Sequence, residues 1–188
     1  MSASPAQVAA FIDEWASKGA DVARKNSLPV SAMLACACTE SGFGMGAIFK
    51  KTKNPFNLQK WPHIPYPRAG TNQPSDTVVE TKTGRQKIAP FNYATDVPDA
   101  VRQWCEWILH YGEADGPPQD ENPHVPMVIH PGNQAARDQL LKYRRDPVNF
   151  AFNLPLVGFG EGKTKEQRDA SGAIFKSVLI TNKLTRFD

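Results

Sequence analysis

The segment "PVSAMLACACTESGFGMG" at residues 29–46 constrains the fold more than any other part of the chain. Pro29 suits the first turn of a helix, where the N–H that proline lacks has no partner in any case. Apolar residues then follow at helical spacing, namely Val30, Met33, Leu34, Ala37 and Cys38. Gly42 and Gly44 interrupt the pattern just after Glu40. The segment therefore predicts a helix that starts near Pro29 and places Glu40 at its C-terminus.

Glu40 is the acidic side chain of this segment. The helix macrodipole places partial negative charge at the C-terminus, and an apolar wall further disfavours ionisation, so we expect the pKa of this carboxyl to be raised. A carboxyl that keeps its proton near neutral pH can act as a general acid. The alternative, a solvated glutamate at an ordinary helix end, is the more common situation for a single glutamate and stays open on these grounds alone.

Four further helices are predicted from caps and apolar periodicity. Ser4 and Pro5 start the first helix, which ends before "KNSLP", and Asp96 and Pro98 start another. A short helix is predicted within "NQAARDQLLKYRRDP", and Thr164 begins the last one in a capping box with Gln167. The apolar faces comprise Val8, Phe11, Ile12 and Trp15 in the first, Val101, Trp104, Cys105, Ile108 and Tyr111 in the second, and Ile174, Phe175, Val178 and Leu179 in the last.

The remaining segments predict a hairpin and two loops. β-branched residues flank "KTGR" within "TVVETKTGRQKIAPF", which predicts a hairpin with its turn near Gly84 and Glu80 on its first strand. Prolines mark residues 50–70 and 116–132 as irregular loops. With 188 residues and 40% hydrophobic content, we expect a single domain spanning residues 1–188. Its class is α+β and mainly helical.

Composition argues against several function classes. A net charge of +3 from 22 basic and 19 acidic residues is too small for a dedicated nucleic-acid binder. No apolar run reaches the roughly 20 residues that a membrane span needs, so we expect no membrane insertion. The N-terminal segment carries acidic residues where a signal peptide would have an unbroken apolar region, so we expect a chain made without an export signal.

Cysteine and histidine patterns indicate no metal and no other cofactor. Cys36 and Cys38 lie in an apolar stretch, which favours buried thiols, although a bridge from either one to Cys105 stays open if the protein works in an oxidising compartment. The histidines lack metal-ligand spacing, and we interpret them as surface residues: His63, His110, His124 and His130.

The segment "LPVSAMLACACTESGFGMGAIFKKTKNPFNLQKW" resembles the active-site region of family 73 glycoside hydrolases, N-acetylglucosaminidases that cut bacterial peptidoglycan. "TESGFG" stands in place of the family's catalytic-acid motif, and "NPFNLQKW", with extra residues, in place of its second motif. "VETKTGRQKIAPFNYATDVPDAV" is similar to the family's hairpin and following helix start, where the family has a second acidic residue. The resemblance implies a lysozyme-like fold with a small β-hairpin lobe.

The resemblance also implies roles for individual residues. Glu40 takes the place of the general acid and Glu80 that of the second carboxylate, with Asp76 as the fallback, or the substrate's own N-acetyl group as nucleophile. Phe43, Phe56, Asn57 and Trp61 are candidates for sugar binding, with core packing as the alternative for the phenylalanines. The glycines after Glu40 would let a sugar chain approach closely. Phe159 replaces a tyrosine of the family, whose hydroxyl Tyr93 or Tyr111 would have to supply.

We therefore expect an endo-β-N-acetylglucosaminidase that cleaves β-1,4 bonds of peptidoglycan. The alternatives are a muramidase or lytic transglycosylase of the same fold, and a glycan-binding module without activity. Without an export signal, the chain resembles type VI secretion effectors, which act in a rival's periplasm and have a cognate immunity protein; a phage endolysin is the competing account. An immunity protein would occlude the cleft, and the basic residues Lys50, Lys51, Lys53 and Lys60 would attract it or the anionic wall.

Overall fold

The computed structural model describes residues 3–58, 94–112, 133–160 and 164–188, together with the backbone of residues 77–81 and 84–88. Its helices are α1 (Pro5–Lys25), α2 (Val30–Ser41), α3 (Ala47–Thr52), α4 (Val97–Leu109), α5 (Gln134–Leu141), α6 (Pro147–Asn153) and α7 (Lys165–Thr181). Short 3-10 turns follow at Leu154–Val157 and Leu184–Phe187. The prediction of a mainly helical protein is confirmed.

Helix α2 lies at the centre of the fold. The sequence pattern predicted one buried face, but every residue from Val30 to Cys38 is buried. Helices α1, α6 and α7 all contact α2, and its many small side chains let their backbones approach closely. Even so, no helix in the described part of the chain is long and apolar enough to cross a membrane.

The N-terminus of α2 is closed by a residue from the other end of the sequence. Pro29, at the capping position, makes no side-chain hydrogen bond. Instead, the Ser31 N–H donates to Asp188 Oδ1 (2.9 Å) and the Ser31 hydroxyl donates to Oδ2 (2.6 Å). Arg24 also donates to the Phe187 carbonyl at 2.6 Å. A carboxylate at a helix N-terminus satisfies free N–H groups and is favoured by the macrodipole, so Asp188 stabilises the central helix.

The predicted helix starts are confirmed. Ser4 and Thr164 form capping boxes at the starts of α1 and α7, and Asp96 caps α4 by accepting from the Asp99 N–H. The predicted short helix is α5, and α1 ends at Lys25, one residue beyond the predicted end before "KNSLP". Each cap satisfies N–H groups that the first helical turn cannot pair internally.

Three sequence-based predictions on the helices need correction. Helix α3 extends to Thr52, so the loop predicted from residue 50 begins later, and α6 was not predicted at all. Ile174 was expected to be buried but is 54% exposed. The reason lies at Gly172, where a Cβ would come within 2.1 Å of the Phe152 carbonyl oxygen. This close approach turns Gly172, Phe175 and Leu179 inward and leaves Ile174 outside.

The described strands are β1 (Thr77–Thr81) and β2 (Gly84–Ile88), which pair antiparallel. Glu80 pairs with Arg85 and Thr81 with Gly84. The structure describes only the backbone here, so the β-hairpin lobe, with its place against the helices, stays a prediction. The loop predicted at 116–132 lies outside the described residues.

The cysteines are buried free thiols. Burial raises the pKa of Cys38 to about 12 and that of Cys105 to about 12, and it raises the pKa of Cys36 as well, with the nearby Glu40 charge adding to the effect. Neutral thiols in an apolar interior behave as small hydrophobic side chains. The packing interpretation is confirmed, and the bridge to Cys105 left open by the sequence is not formed.

We predict that Asp188→Ala lowers the free energy of unfolding by about 1 kcal/mol, the typical cost of losing a helix cap. The buried Ser31 hydroxyl also loses its acceptor, which adds to this cost. Urea denaturation measures the change as a lower midpoint at an unchanged slope. The control is Asp13→Ala, at an exposed position of α1, which we expect to shift the midpoint little. Equal midpoints for the two variants would contradict the capping role.

Candidate active site

Glu40 is the penultimate residue of α2, where the helix ends in a tight left-handed turn. The Phe43 N–H donates to the Cys38 carbonyl at 2.8 Å, and the Gly42 N–H donates to the Thr39 carbonyl at 3.3 Å. Gly42 has φ 57° and ψ 48°, the conformation that glycine adopts most readily. This pair of bonds is a Schellman motif, which stops the helix just beyond Glu40.

Hydrogen bonds to Ser41 stabilise the turn that follows Glu40. Its hydroxyl accepts from the Gly44 N–H at 2.9 Å, and its carbonyl accepts from the Gly46 N–H at 2.8 Å. A Cβ at Gly46 would lie 2.9 Å from that carbonyl oxygen, whereas a Cβ at Gly42 would meet nothing within 4 Å. The backbone geometry of the turn thus accounts for the glycines at position 44, where φ is 79°, and at position 46. Of the three glycines, Gly42 alone has the open space that we expected for the approach of a ligand.

Two donors from distant parts of the chain hold the Glu40 carboxylate. The backbone N–H of Gly160 donates to Oε1 at 2.8 Å. The Asn57 amide donates to Oε2 at 3.3 Å and, with a shorter distance of 2.7 Å, to the backbone carbonyl of Glu40. The side chain of Glu40 is half-buried. Hydrogen bonds of this kind stabilise the ionised carboxylate. They therefore oppose the increase in pKa that we expected from the position of Glu40 at the C-terminus of the helix.

A buried polar network holds the segment that carries Asn57. Asn57 itself has φ 49°, a conformation that asparagine tolerates better than most residues. Nearby, the side-chain oxygen Oδ1 of Asn54 accepts from the Phe56 N–H at 3.1 Å, and the Asn54 side-chain amide donates to Gln103 Oε1 at 3.0 Å. Gln103 in turn donates to Asp99 at 3.2 Å. Because Asn54 and Gln103 are each 1% exposed, this network ties the Asn57 segment firmly to α4.

Gly160 is positioned by the turn that follows α6. The Trp107 indole N–H donates to the Val157 carbonyl at 2.8 Å, and the Phe159 ring packs 6.4 Å from the Trp107 ring. Gly160 has φ 72°, and a Cβ there would lie 2.9 Å from the Ser171 Cβ. This contact with Glu40 could not be predicted from the sequence, because a backbone donor leaves no side-chain signal.

The candidates for sugar binding separate into two groups. Phe56 is 1% exposed, stacks on Trp104 at 5.8 Å and contacts Trp15 edge-on at 6.0 Å. Phe56 is therefore a core residue, and the prediction that its ring stacks on a sugar is not retained. Phe43 is half-buried, three residues beyond Glu40, and keeps that candidate role. Asn57 contacts Glu40 directly, which no sequence pattern had indicated.

Several predicted residues lie outside the described part of the chain. These are Trp61, Asp76, Tyr93 and Lys60, together with the side chain of Glu80. Their roles stay predictions. Tyr111, the other candidate for the missing hydroxyl, is 5% exposed, and burial raises its pKa. It packs on Trp107 with 6.0 Å between ring centroids, beside the turn that leads to Gly160.

The helix that follows Glu40 in the chain, α3, carries exposed basic side chains. Lys50 and Lys51 on α3 and Lys53 just after it are exposed. Their exposure is consistent with the predicted attraction of anionic partners. Among the described residues, no group of three or more His, Cys, Asp or Glu side chains could hold a metal ion. The chemistry that these residues support is that of a carboxyl group held by two N–H donors.

Neither a family model nor a curated protein matches the chain. Solved structures do. One is an N-acetylmuramoyl-L-alanine amidase from Staphylococcus aureus, with 15% identity over 98% of this chain and 44% of that one, at a TM-score of 0.64. Another is a C-terminally truncated glycoside hydrolase domain from Salmonella typhimurium FlgJ, with 14% identity over 92% and 95% of the two chains, at a TM-score of 0.53.

A third similar structure is a type VI secretion system effector–immunity complex from Pseudomonas protegens. It matches with 15% identity over 96% of this chain and 92% of that one, at a TM-score of 0.51. At such identities the likeness shows the fold alone. The chain thus has the fold found in these structures, while membership of family 73 stays a prediction.

Proposed function

We propose that this protein is a peptidoglycan hydrolase that cleaves β-1,4 bonds next to N-acetylglucosamine, with Glu40 as the general acid. The observation that carries the proposal is the half-buried Glu40 carboxylate, held at the end of a buried helix by Gly160 and Asn57. The resemblance of "TESGFG" to a catalytic-acid motif and the fold shared with a glycoside hydrolase domain support it.

The two carboxylate oxygens of Glu40 have unequal partners. Oε1 accepts from Gly160 at 2.8 Å, whereas Oε2 accepts from Asn57 at the longer distance of 3.3 Å. A proton on Oε2 leaves in place the 2.8 Å bond from Gly160 to Oε1 and the 2.7 Å bond from Asn57 to the Glu40 carbonyl. In the proposed reaction Oε2 donates this proton to the glycosidic oxygen as the bond breaks. The helix end favours the neutral carboxyl, whereas the N–H donors favour the ionised one.

The second carboxylate of the proposed reaction is Glu80 on β1. It would activate water or form a covalent intermediate, depending on its distance from Glu40. Asp76 is the fallback, and the substrate's N-acetyl group could serve as nucleophile if neither carboxylate reaches the sugar. Phe43 and Trp61 are the proposed sugar-stacking residues, since aromatic faces pack well on pyranose rings.

For its biological role, we propose an antibacterial effector of a type VI secretion system that acts in the periplasm of a rival cell. The similar fold in an effector–immunity complex supports this role. A cognate immunity protein would occlude the cleft near Glu40, and acidic side chains on it would face the exposed Lys50, Lys51 and Lys53.

We expect Glu40→Gln to lower the rate of muropeptide release about 100- to 10,000-fold, because glutamine has no proton to donate at neutral pH. Glu80→Gln should lower it as well if Glu80 is the second carboxylate. The control is Glu166→Gln, a fully exposed position on α7, which should retain activity. Full activity of Glu40→Gln would refute the proposed acid. If Glu80→Gln keeps full activity while Glu40→Gln does not, the role of second carboxylate belongs to Asp76, or the N-acetyl group of the substrate acts as nucleophile.

Mass spectrometry of the products from purified peptidoglycan distinguishes the competing reactions. A reducing N-acetylglucosamine end supports the proposed activity. A reducing muramic acid end indicates a muramidase, an anhydro sugar a lytic transglycosylase, and free stem peptides an amidase. Glycan binding without any product from the unmutated protein indicates a binding module.

We expect Asn57 variants to separate positioning from charge. Asn57→Gly keeps the left-handed backbone but deletes both bonds to Glu40, and should lower kcat about 10- to 100-fold with little change in KM, because the acid is no longer aligned. Asn57→Asp places a like charge against Glu40, which raises the pKa of the acid. The alkaline limb of its pH–rate profile should therefore move to higher pH. Identical profiles for the two variants would contradict the proposed contact with the acid.

We expect expression in the periplasm of Escherichia coli, directed by an added signal peptide, to lyse the cells, whereas expression in the cytoplasm should be harmless. The reason is that the proposed substrate lies outside the inner membrane. Cell density and microscopy measure the effect, and Glu40→Gln in the periplasm is the control, which should not cause lysis. Toxicity in the cytoplasm with none in the periplasm would overturn the effector proposal.

A further inference from the structure

A cavity lies at the opposite end of α2 from Glu40. It has a volume of about 330 Å³ and is formed by the end of α1, the start of α2, the turn between α5 and α6, and Asp188. Val30 lines this cavity, and Glu40 is ten residues further along the helix, about 15 Å away at 1.5 Å per residue. The cavity is therefore separate from the proposed active site.

The charge of the cavity is positive. Three arginines line it, Arg24, Arg144 and Arg145, against one carboxylate, that of Asp188. Both oxygens of Asp188 already accept hydrogen bonds from Ser31, so this carboxylate serves the helix cap. Arg24 is also engaged, since it donates to Asp21 at 3.2 Å and to the Phe187 carbonyl at 2.6 Å. The uncompensated charge lies on Arg144 and Arg145.

The guanidinium groups of Arg144 and Arg145 have donors to spare. The Nε of Arg144 is buried and has no hydrogen-bond partner in the part of the chain that the structure describes. Arg145 is exposed and makes no ion pair within the described ranges. Because the Arg144 Nε has almost no accessible surface, an anion in the open space of the cavity would not reach this nitrogen. The anion would be held by the exposed guanidinium of Arg145 and by the part of the Arg144 side chain that lines the cavity.

Apolar residues complete the cavity. Leu28 and Val30 are 3% and 1% exposed and lie beneath the arginines with Pro29 and Pro147. Such surroundings lower the local dielectric and strengthen any ion pair formed there. They also give a ligand a non-polar contact beside its charged group.

We propose that this cavity binds an oxyanion, a carboxylate or phosphate group carried on a partly apolar ligand. The guanidinium of Arg145 closes over the anion from the solvent side, and Arg144 donates from within the cavity. Arginine presents paired N–H donors whose spacing matches the oxygens of both groups, which makes it the usual residue for such binding. The site is independent of the proposed hydrolase activity.

Thermal unfolding with added anions tests this proposal. Sodium phosphate and sodium acetate are titrated separately, and sodium chloride at equal ionic strength corrects for general salt effects. We expect a saturable rise in Tm with at least one of the two anions, as for any ligand that binds only the folded state. Isothermal titration calorimetry with the same anion then gives the affinity.

Arg144→Gln and Arg145→Gln should each weaken that affinity at least fivefold. Lys142→Gln is the matched control, since it removes an exposed positive charge from the same turn without lining the cavity, and it should bind like the unmutated protein. Arg145 is exposed, so its variant folds even if Arg144→Gln does not, and circular dichroism verifies the fold of each protein. Glu40→Gln, inactive under the proposed mechanism, should bind the anion normally.

The outcomes are distinct. A response to phosphate alone identifies a phosphate site, a response to acetate alone a carboxylate site, and a response to both a general oxyanion site. A Tm shift no larger than that caused by chloride would overturn the proposal. An affinity that is unchanged in Arg145→Gln, or lowered equally in Lys142→Gln, would overturn it too.

Discussion

The architecture depends on the burial of α2 from Val30 to Cys38. A helix without a solvated face can be surrounded on all sides only if its side chains are small or apolar, and Val30 to Cys38 satisfy this condition. The first large polar side chain along that helix is Glu40, which comes where the helix leaves the core. Packing of α2 in the interior thus determines where the Glu40 carboxyl group lies. The Schellman motif at Gly42 ends the helix directly after it.

Two kinds of support meet at Glu40. Asn57 contacts it from a segment anchored by the buried side chain of Asn54, which accepts from the Phe56 N–H and donates to Gln103 on α4. Gly160 reaches it through its backbone, which a side-chain substitution at that position would not remove directly. A carboxyl group held in this way has little freedom to rotate, and preorganised donors of this kind cost no reorganisation when charge changes during a reaction.

Helix starts were predictable from sequence because Ser4, Asp96 and Thr164 act on their own first turns, and local chemistry decides such positions. The end of α2 and the place of Glu40 on it were predictable for the same reason. The hydrogen-bond partners of Glu40 were not predictable. Gly160 donates from its backbone, and Asn57 was interpreted as a residue that binds the sugar. Ile174 was assigned to the wrong surroundings, and Phe56 was left open between sugar binding and core packing, because apolar spacing does not reveal which face a neighbouring helix covers. The approach of Gly172 to Phe152 illustrates this.

Both ends of α2 are completed by residues that come late in the sequence. Asp188 is 157 residues away from Ser31, and Gly160 is 120 residues away from Glu40. Contacts across such separations close long loops, whose entropy cost places them late in folding. The alignment of the Glu40 carboxyl group by Gly160 therefore requires that the C-terminal segments are docked on α2. A truncation that removes them would loosen both ends of the central helix at once.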